Sequence, residues 1–421
     1  MTAKEGKPAI LGGPPAVTIE EPEANLWPII TEEEVAMVTD LLRKGDISVS
    51  DEPMKLESEF AEYIGTGHAL AHTNGTAALH AACFAAGVGP GDEVLIATYN
   101  YWAPATAVTS ANGIPVFCDI DPDTLAIDPD DMATRITPRT KAVIVTHVWG
   151  LPADMDRIMA LARERGLIVI EDASHAHGAE YRGVKIGAVG HIGCFSLQAS
   201  KLMVAGEGGL LVTDNDEYYE RAVVLGHYRR IPDLSEKYNR YGLAPYGWKY
   251  RIIPLAAAIA RSQLGKLDAR NESRARNLER LQSQIEDLPG VKVFTAPKDV
   301  KRTYYGYLFR YESEELGGLP MPRFLEALRA EGVEGQGNRY DALLHQQPLF
   351  QERDIYGRGC PWSCPYADRQ VSYEMEDMPV ARKIVPTLID LPTFPNASAN
   401  LIDQVAAALA KVTANAGALM E

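Results

Sequence analysis

A lysine, Lys201, sits in the stretch Ser196-Leu-Gln-Ala-Ser-Lys201-Leu-Met-Val-Ala-Gly-Glu-Gly-Gly209, among small uncharged residues and just before a glycine cluster. An amine in such surroundings can attack a carbonyl and later carry protons. About thirty residues upstream, the apolar run Leu167-Ile-Val-Ile170 delivers Glu171-Asp172 to the end of a predicted strand. Further back, the short strand His68-Ala-Leu-Ala-His72 runs into Thr73-Asn-Gly-Thr76. In that turn Gly75 lets backbone approach an anion, Thr76 adds a hydroxyl, and the following helix offers free N–H groups. Together these are the parts of a site for pyridoxal phosphate (PLP). The amine meets its aldehyde, Asp172 its pyridine nitrogen and the turn its phosphate.

Each part alone has a plainer reading. Lys201 is equally a surface lysine in a turn, Asp172 a helix cap, and the Gly75–Thr76 turn one of many strand–glycine–helix junctions. Tyr101, in Tyr99-Asn-Tyr-Trp102 after the strand Glu93–Ala97, can stack on a flat ring or simply pack. His175, three residues after Asp172, can lie against a cofactor ring or only satisfy local hydrogen bonds. Ser196 adds a further hydroxyl for a phosphate. The chemistry rests on the combination: uncharged neighbours (Ala199, Ser200, Met203) keep the neutral amine of Lys201 accessible, and a carboxylate at contact distance keeps a ring nitrogen protonated.

The elements that must position these residues follow from periodicity. Predicted strands cover 68–72, 93–97, 115–119, 140–146 and 167–170, with helices over 77–86 and 154–165 between them. Strands at 190–196 and 209–213 form a hairpin around the lysine loop. Strand–helix alternation from 68 to 213 predicts an α/β fold with a largely parallel, seven-stranded sheet flanked by helices. Residues 1–30, rich in Pro and Gly, are expected to be an extended arm. Residues 31–265 are the large, cofactor-binding domain and 266–421 a smaller α+β domain. Thr31-Glu-Glu-Glu34 starts a helix, Leu56, Phe60 and Ile64 share a face of a second, and Pro254–Ile285 is helical by composition.

With 421 residues the chain exceeds one small core. Its net charge of −16 and lack of any Lys/Arg-rich run argue against nucleic acid or an anionic membrane as partner. No apolar stretch approaches a bilayer span and the first residues carry no apolar signal region, so a cytoplasmic location is expected. Of five cysteines, Cys83, Cys118 and Cys194 lie in apolar runs. Cys360 and Cys364 form a lone pair without the second pair a zinc site needs, so no metal is expected.

Taken with Ala9-Ile-Leu-Gly-Gly-Pro-Pro-Ala16, Thr73-Asn-Gly-Thr-Ala-Ala-Leu79, Glu171-Asp-Ala-Ser-His-Ala-His-Gly178, Gly193-Cys-Phe-Ser-Leu-Gln-Ala-Ser-Lys201 and Trp248-Lys-Tyr-Arg251, the chain resembles the DegT–StrS family of sugar aminotransferases, of the PLP fold type I. The resemblance implies Lys201 as the Schiff-base lysine and Asp172 as partner of the pyridine nitrogen. It implies Gly75, Thr76 and Ser196 as phosphate ligands, Tyr101 as the stacking residue and Gln198 beside the cofactor. Lys249 stands where many relatives have Asn, a position that reaches the phosphate from the other subunit of a homodimer. Retention of Lys201 argues against the dehydratase branch, which has histidine there. An epimerase is a lesser alternative, as is a non-catalytic PLP-binding regulator, which would add a DNA-binding segment and a basic face. Thr146-His-Val-Trp-Gly-Leu-Pro-Ala-Asp154 and Tyr99-Asn-Tyr-Trp102 look most like members acting on scyllo-inosose-type cyclitols in aminoglycoside pathways, with glutamine or glutamate as amino donor. The runner-up acceptor is a nucleotide-linked keto-sugar. Segments 227–250 and 338–366 are expected to read the substrate.

Overall fold

The structure, a computed structural model, describes residues 6–242, 244, 246–340, 342–367 and 369–420. Helices α1 (Glu32–Lys44) and α2 (Glu52–Ile64) precede the first strand. At the start of α1 the Thr31 N–H donates to the Glu34 carboxylate, so the acidic first turn closes on its own cap. Then come β1 (His68–His72), α3 (Gly75–Ala85), β2 (Glu93–Ala97), α4 (Ala103–Ser110), β3 (Ile114–Cys118), α5 (Pro129–Arg135), β4 (Thr140–Thr146), α6 (Met155–Arg165) and β5 (Ile168–Asp172). A small ribbon, β6 (Glu180–Tyr181) and β7 (Val184–Lys185), leads to β8 (Ile192–Ser196) and β9 (Gly209–Thr213).

The large sheet has seven strands in the order β1-β9-β8-β5-β4-β2-β3, and only β9 runs against the others. The expected hairpin is present: β8 and β9 pair from Gly193↔Val212 to Ser196↔Gly209. Strands β2, β3 and β9 are buried at every position, which explains why their sequences read as apolar runs rather than alternations. The ends of β1, β2, β4, β5 and β8 therefore share one edge with the start of β9, where an α/β sheet binds its ligand.

The chain leaves this sheet through α7 (Asp216–Gly226) and the short α8 (Glu236–Asn239). The predicted helical run 254–285 is two helices, α9 (Pro254–Leu264) and α10 (Leu267–Ile285). A second core collects α10, α11 (Met321–Ala330), α14 (Ala399–Ala414) and a four-stranded sheet of β10 (Val291–Val293), β12 (Tyr307–Tyr311), β13 (Gln336–Gly337) and β14 (Leu388–Leu391). Strand β11 (Val300–Lys301) instead pairs with β6. The segment that carries α12 (Pro348–Glu352) and α13 (Pro379–Ile384) returns to the first core, although the sequence boundary groups it with the second. Phe350 and Tyr373 pack on Phe117 of β3, Leu344 N–H donates to Thr98 O, and Val380 and Ala381 N–H groups donate to Asp119.

The described part of the arm lies along the second core. Glu331 takes the N–H groups of Ala9 and Ala16, while Trp27 reaches back to donate its indole N–H to Lys201 O at 3.0 Å. Among the described residues no helix is long and apolar enough to cross a membrane.

Candidate active site

At the shared strand edge lies a cavity of about 810 Å³ whose walls include Gly75, Thr76, Tyr101, Asp172, His175, Ser196, Gln198 and Lys201. The structure thus brings together every sequence-predicted site residue except Lys249. Lys249 is exposed in the loop before α9 and is not among the lining residues, whereas its neighbour Tyr250 is.

Asp172 is the last residue of β5 rather than the residue after it. Because side chains alternate along a strand, Glu171 and Asp172 face opposite sides. Glu171 turns away and takes N–H groups from Gly187 and Gly190, beside His147. Asp172 faces the cavity, where Oδ1 accepts Ser174 N–H at 3.2 Å and Oδ2 lies 3.5 Å from Thr146 Oγ1, which in turn takes Asn100 Nδ2 at 2.8 Å. Burial pushes the Asp172 carboxyl up, against the hydrogen bonds from Ser174 and the charge of Lys201.

Helix α3 starts two residues earlier than its apolar pattern, with Asn74 as cap: its Oδ1 accepts Ala77 N–H at 2.8 Å. The first-turn N–H groups of α3 have no intrahelical acceptor and open toward the end of β8. Glycine is required here for space. A Cβ on Gly75 would lie 2.7 Å from Ser196 Cβ, and one on Gly209 would lie 2.3 Å from Asn74 O. The helix start, β8 and β9 are therefore packed backbone against backbone.

Lys201 projects from the β8–β9 loop, which is pinned by Lys201 N–H to Gln198 O and Ala205 N–H to Leu197 O, both 2.8 Å, and by burial of Leu202, Met203 and Val204. Gln198 folds back, its Oε1 accepting Ser200 N–H and Oγ–H. The Lys201 amine donates to Tyr305 OH at 3.3 Å and lies 4.4 Å from that ring's centroid. Tyr305 stacks on His175, with centroids 4.2 Å apart, and His175 stacks on Trp149. His175 is buried; it lines the cavity, and its Nδ1 accepts Trp149 N–H at 3.4 Å. Burial, then the charge of Lys201, holds its pKa well below the usual histidine range, and it is neutral. Tyr101 stays 43% exposed at the mouth, against Trp102 and 6.2 Å from Tyr340.

Tyr305, Arg339 and Tyr340 are cavity residues the sequence did not single out by role. Arg339 and Tyr340 fall in the segment expected to read the substrate. Tyr305 had no signal, because it comes from the second unit and meets Lys201 only in three dimensions. Asn100 and Thr146 could have been found, since both follow or end strands at the ligand-binding edge. Leu243, Pro245 and Asp341, part of the two expected substrate-reading segments, lie outside the described residues.

Comparison with known proteins gives this geometry a family. Residues 28–371 match the model of the DegT/DnrJ/EryC1/StrS aminotransferase family. The chain belongs to that family. An L-glutamine:scyllo-inosose aminotransferase of Streptomyces griseus is 37% identical over 335 residues, 77% of this chain and 78% of that protein. An L-glutamine:2-deoxy-scyllo-inosose aminotransferase of Streptomyces kanamyceticus is 35% identical over 327 residues, 73% of this chain and 74% of that protein. Among solved structures, that of DesI in the presence of its TDP-sugar product superposes with a TM-score of 0.78 at 26% identity, covering 98% of this chain and 97% of that one.

This DegT/StrS-family aminotransferase is PLP-dependent, and its residues fit the cofactor. Among the described residues no cation pairs with the buried Asp172 carboxyl, a contact that a protonated ring nitrogen would supply. The cradle of Gly75, Thr76 and Ser196 suits a phosphate, and Lys201 is the amine that opens into the same cavity.

Proposed function

We propose that this chain transfers the α-amino group of L-glutamine to the keto carbon of a scyllo-inosose-type cyclitol. The observation that carries the reading is the identity of 35–37%, over about three quarters of the chain, to aminotransferases of that donor and acceptor class. In this reading Lys201 binds the cofactor, Asp172 holds the charge on its ring nitrogen, and Gly75, Thr76 and Ser196 hold its phosphate. Tyr101 covers the ring, with Gln198 and His175 beside it.

Bound PLP supplies the electron sink that makes an amino acid's Cα–H acidic. The rest is the work of the chain. The amine of Lys201, once free, takes the proton from the donor's Cα, and in the second half-reaction gives one to the carbon that receives nitrogen. Tyr305 OH holds that amine in reach, and neutral His175 backs the Tyr305 ring without adding charge.

We also read the enzyme as a homodimer with shared sites, in which the partner's Lys249 completes the phosphate pocket. Supporting this, Trp248 is 50% exposed yet stacks on Tyr250 and lies edge-on to His80, two residues of the cavity wall. An uncovered aromatic at the rim suits a protein contact.

The test is incubation of PLP-loaded protein with L-glutamine and scyllo-inosose, with product read by mass spectrometry. An amino-cyclitol supports the proposal. Turnover only with a nucleotide-linked keto-sugar would replace the acceptor. Lys201→Ala should lose both turnover and the visible absorption of the lysine-bound cofactor.

A further inference from the structure

The main-chain carbonyl of Lys201 is held from far away in the chain. Trp27, 174 positions earlier in the arm, donates its indole Nε1–H to Lys201 O at 3.0 Å, the only donor to that carbonyl among the described residues. The other bonds of the lysine loop hold its stem and the N–H side. Leu197 N–H donates to Gly208 O, Ala205 N–H to Leu197 O, Ala199 N–H to Gly206 O and Lys201 N–H to Gln198 O, all at 2.8–3.0 Å. None of them grips the peptide that follows Lys201. A lysine side chain is a flexible four-carbon stem, so its amine is placed only as well as the backbone at its root. Tyr305 OH meets the tip of that stem at 3.3 Å, and Trp27 meets the root.

The indole is itself fixed on two sides. Toward α14, Asn25 Oδ1 accepts Phe394 N–H and Ala24 O accepts Asn396 N–H, both at 3.1 Å, while Asn396 Nδ2 donates to Glu23 O and Leu26 O. Toward α9 and α10, Ile29 O takes Gln263 Nε2 at 3.1 Å and Arg270 Nη2 at 3.0 Å. The ring also carries two guanidinium groups, Arg274 at 4.0 Å and Arg270 at 5.6 Å from a ring centroid. Arg274 is 2% exposed and its Nη1 has no hydrogen-bond partner among the described residues, so its charge rests against the indole face. Burial, then Arg270, push Arg274 down to about 10, which leaves it charged at neutral pH. A cation against the π-face draws electron density from the ring and strengthens its N–H as a donor. The arm has ties enough to stay docked without the indole N–H, and that N–H goes to Lys201.

We infer that Trp27 is a positioning residue for amino transfer: by gripping the carbonyl of Lys201 it fixes the root of the side chain whose amine binds the cofactor and moves the proton. This rests on the aminotransferase reading and gives the arm a part in the chemical step. Trp27 does not line the cavity into which Lys201 opens, so its effect passes through the lysine. Displacing a reacting group by about 1 Å can cost on the order of 10²-fold in rate, and loss of one main-chain tie should cost about tenfold. Binding should be spared, because the walls that receive donor and acceptor keep their residues.

The experiment compares PLP-loaded wild type with Trp27→Phe, which keeps an aromatic face for Arg274 and removes the donor. Mixed with saturating L-glutamine in a stopped-flow cell, Trp27→Phe should convert the lysine-bound cofactor about tenfold more slowly, with half-saturating glutamine and cofactor retention within about twofold of wild type. The visible circular dichroism of the lysine-bound cofactor, which reads how rigidly that linkage is oriented, should weaken. A tryptophan that only packs the arm would lower the melting temperature and leave both the saturating rate and the dichroism at wild-type values; that result overturns the inference. So does a loss confined to glutamine affinity or cofactor retention. Should Trp27→Phe fail to fold, benzothienylalanine in place of Trp27, an indole-shaped ring with sulfur where the N–H was, runs the same test without loss of bulk. Wild-type rate and dichroism there are equally fatal. A wild type that reacts with neither glutamine nor any other amino acid would instead remove the aminotransferase reading, and with it the role of Lys201 that Trp27 serves.

Discussion

The hydroxyl of Tyr305 lies 3.3 Å from Nζ of Lys201, and the same amine sits 4.4 Å over the Tyr305 ring. One side chain from the second unit therefore touches Lys201 in two ways. Tyr305→Phe removes the hydroxyl and keeps the ring stacked on His175. Rapid-mixing measurement of the glutamine half-reaction should show it slowed about tenfold, roughly 1.4 kcal/mol of barrier. An unchanged rate would mean that Tyr305 only packs.

Asp172→Asn keeps size and most hydrogen-bonding capacity and removes the charge. Burial already disfavours the ionised carboxyl. Transamination should fall by about 10²-fold, near 3 kcal/mol of barrier. The absorption of the bound cofactor should also change, since its ring nitrogen is no longer held protonated. Activity within twofold of wild type would leave Asp172 with a structural role in the turn to Ser174.

Much of this was legible in the chain because the large sheet is buried on both faces. Apolar runs such as Val94–Ala97 mark its strands, and the polar residue that ends each run marks the ligand edge. Asp172, Thr76 and Ser196 were found that way. The hairpin around Lys201 was legible for the same reason. What was not legible depends on contacts far apart in sequence. Tyr305 precedes a strand of the other sheet, and nothing local distinguishes it from Tyr304, which turns into the second core. Segment 343–385 carries loop-like composition, yet Phe350 and Tyr373 are core residues of the first unit. Strand β14 was missed because four residues, Leu388-Ile-Asp-Leu391, carry no period, and Asp390 within it is buried by partners from 336 and 339.

Outside the site, one buried carboxylate is held by close hydrogen bonds. Glu34 of α1 accepts Lys266 Nζ at 2.8 Å and Thr31 N–H at 2.9 Å, tying the first helix to the start of α10. Burial raises its pKa, but the hydrogen bonds from Lys266 and Thr31 outweigh it and hold the carboxyl well below the usual range. A depressed folded-state pKa gives stability that is full above the unfolded value, about 4.3, and is lost as pH falls below it. Glu34→Gln should lower stability at pH 7 by about 2–4 kcal/mol, by leaving Lys266 without its buried partner. The deficit should shrink as pH falls from 5 toward 3 in denaturant titrations. A constant difference across that range would show that the charge of Glu34 is not what stabilises the fold.

Lys249 is exposed beside Trp248 and does not line its own chain's cavity, while none of the proposed phosphate ligands Gly75, Thr76 and Ser196 is cationic. A phosphate with nearly two negative charges in a partly enclosed site calls for one. In an isologous dimer a rim residue of one chain can complete the site of the other. Lys249→Ala should then weaken PLP retention on dialysis and lower activity. Lys201→Ala chains, inactive alone, should regain activity when refolded with Lys249→Ala chains, because each mixed dimer contains one site with both lysines intact. Sedimentation of the wild type should show a dimer that persists on dilution. Mixtures no more active than the Lys249→Ala protein alone, or a dilute monomer that keeps its cofactor, would show that each chain builds its phosphate pocket unaided.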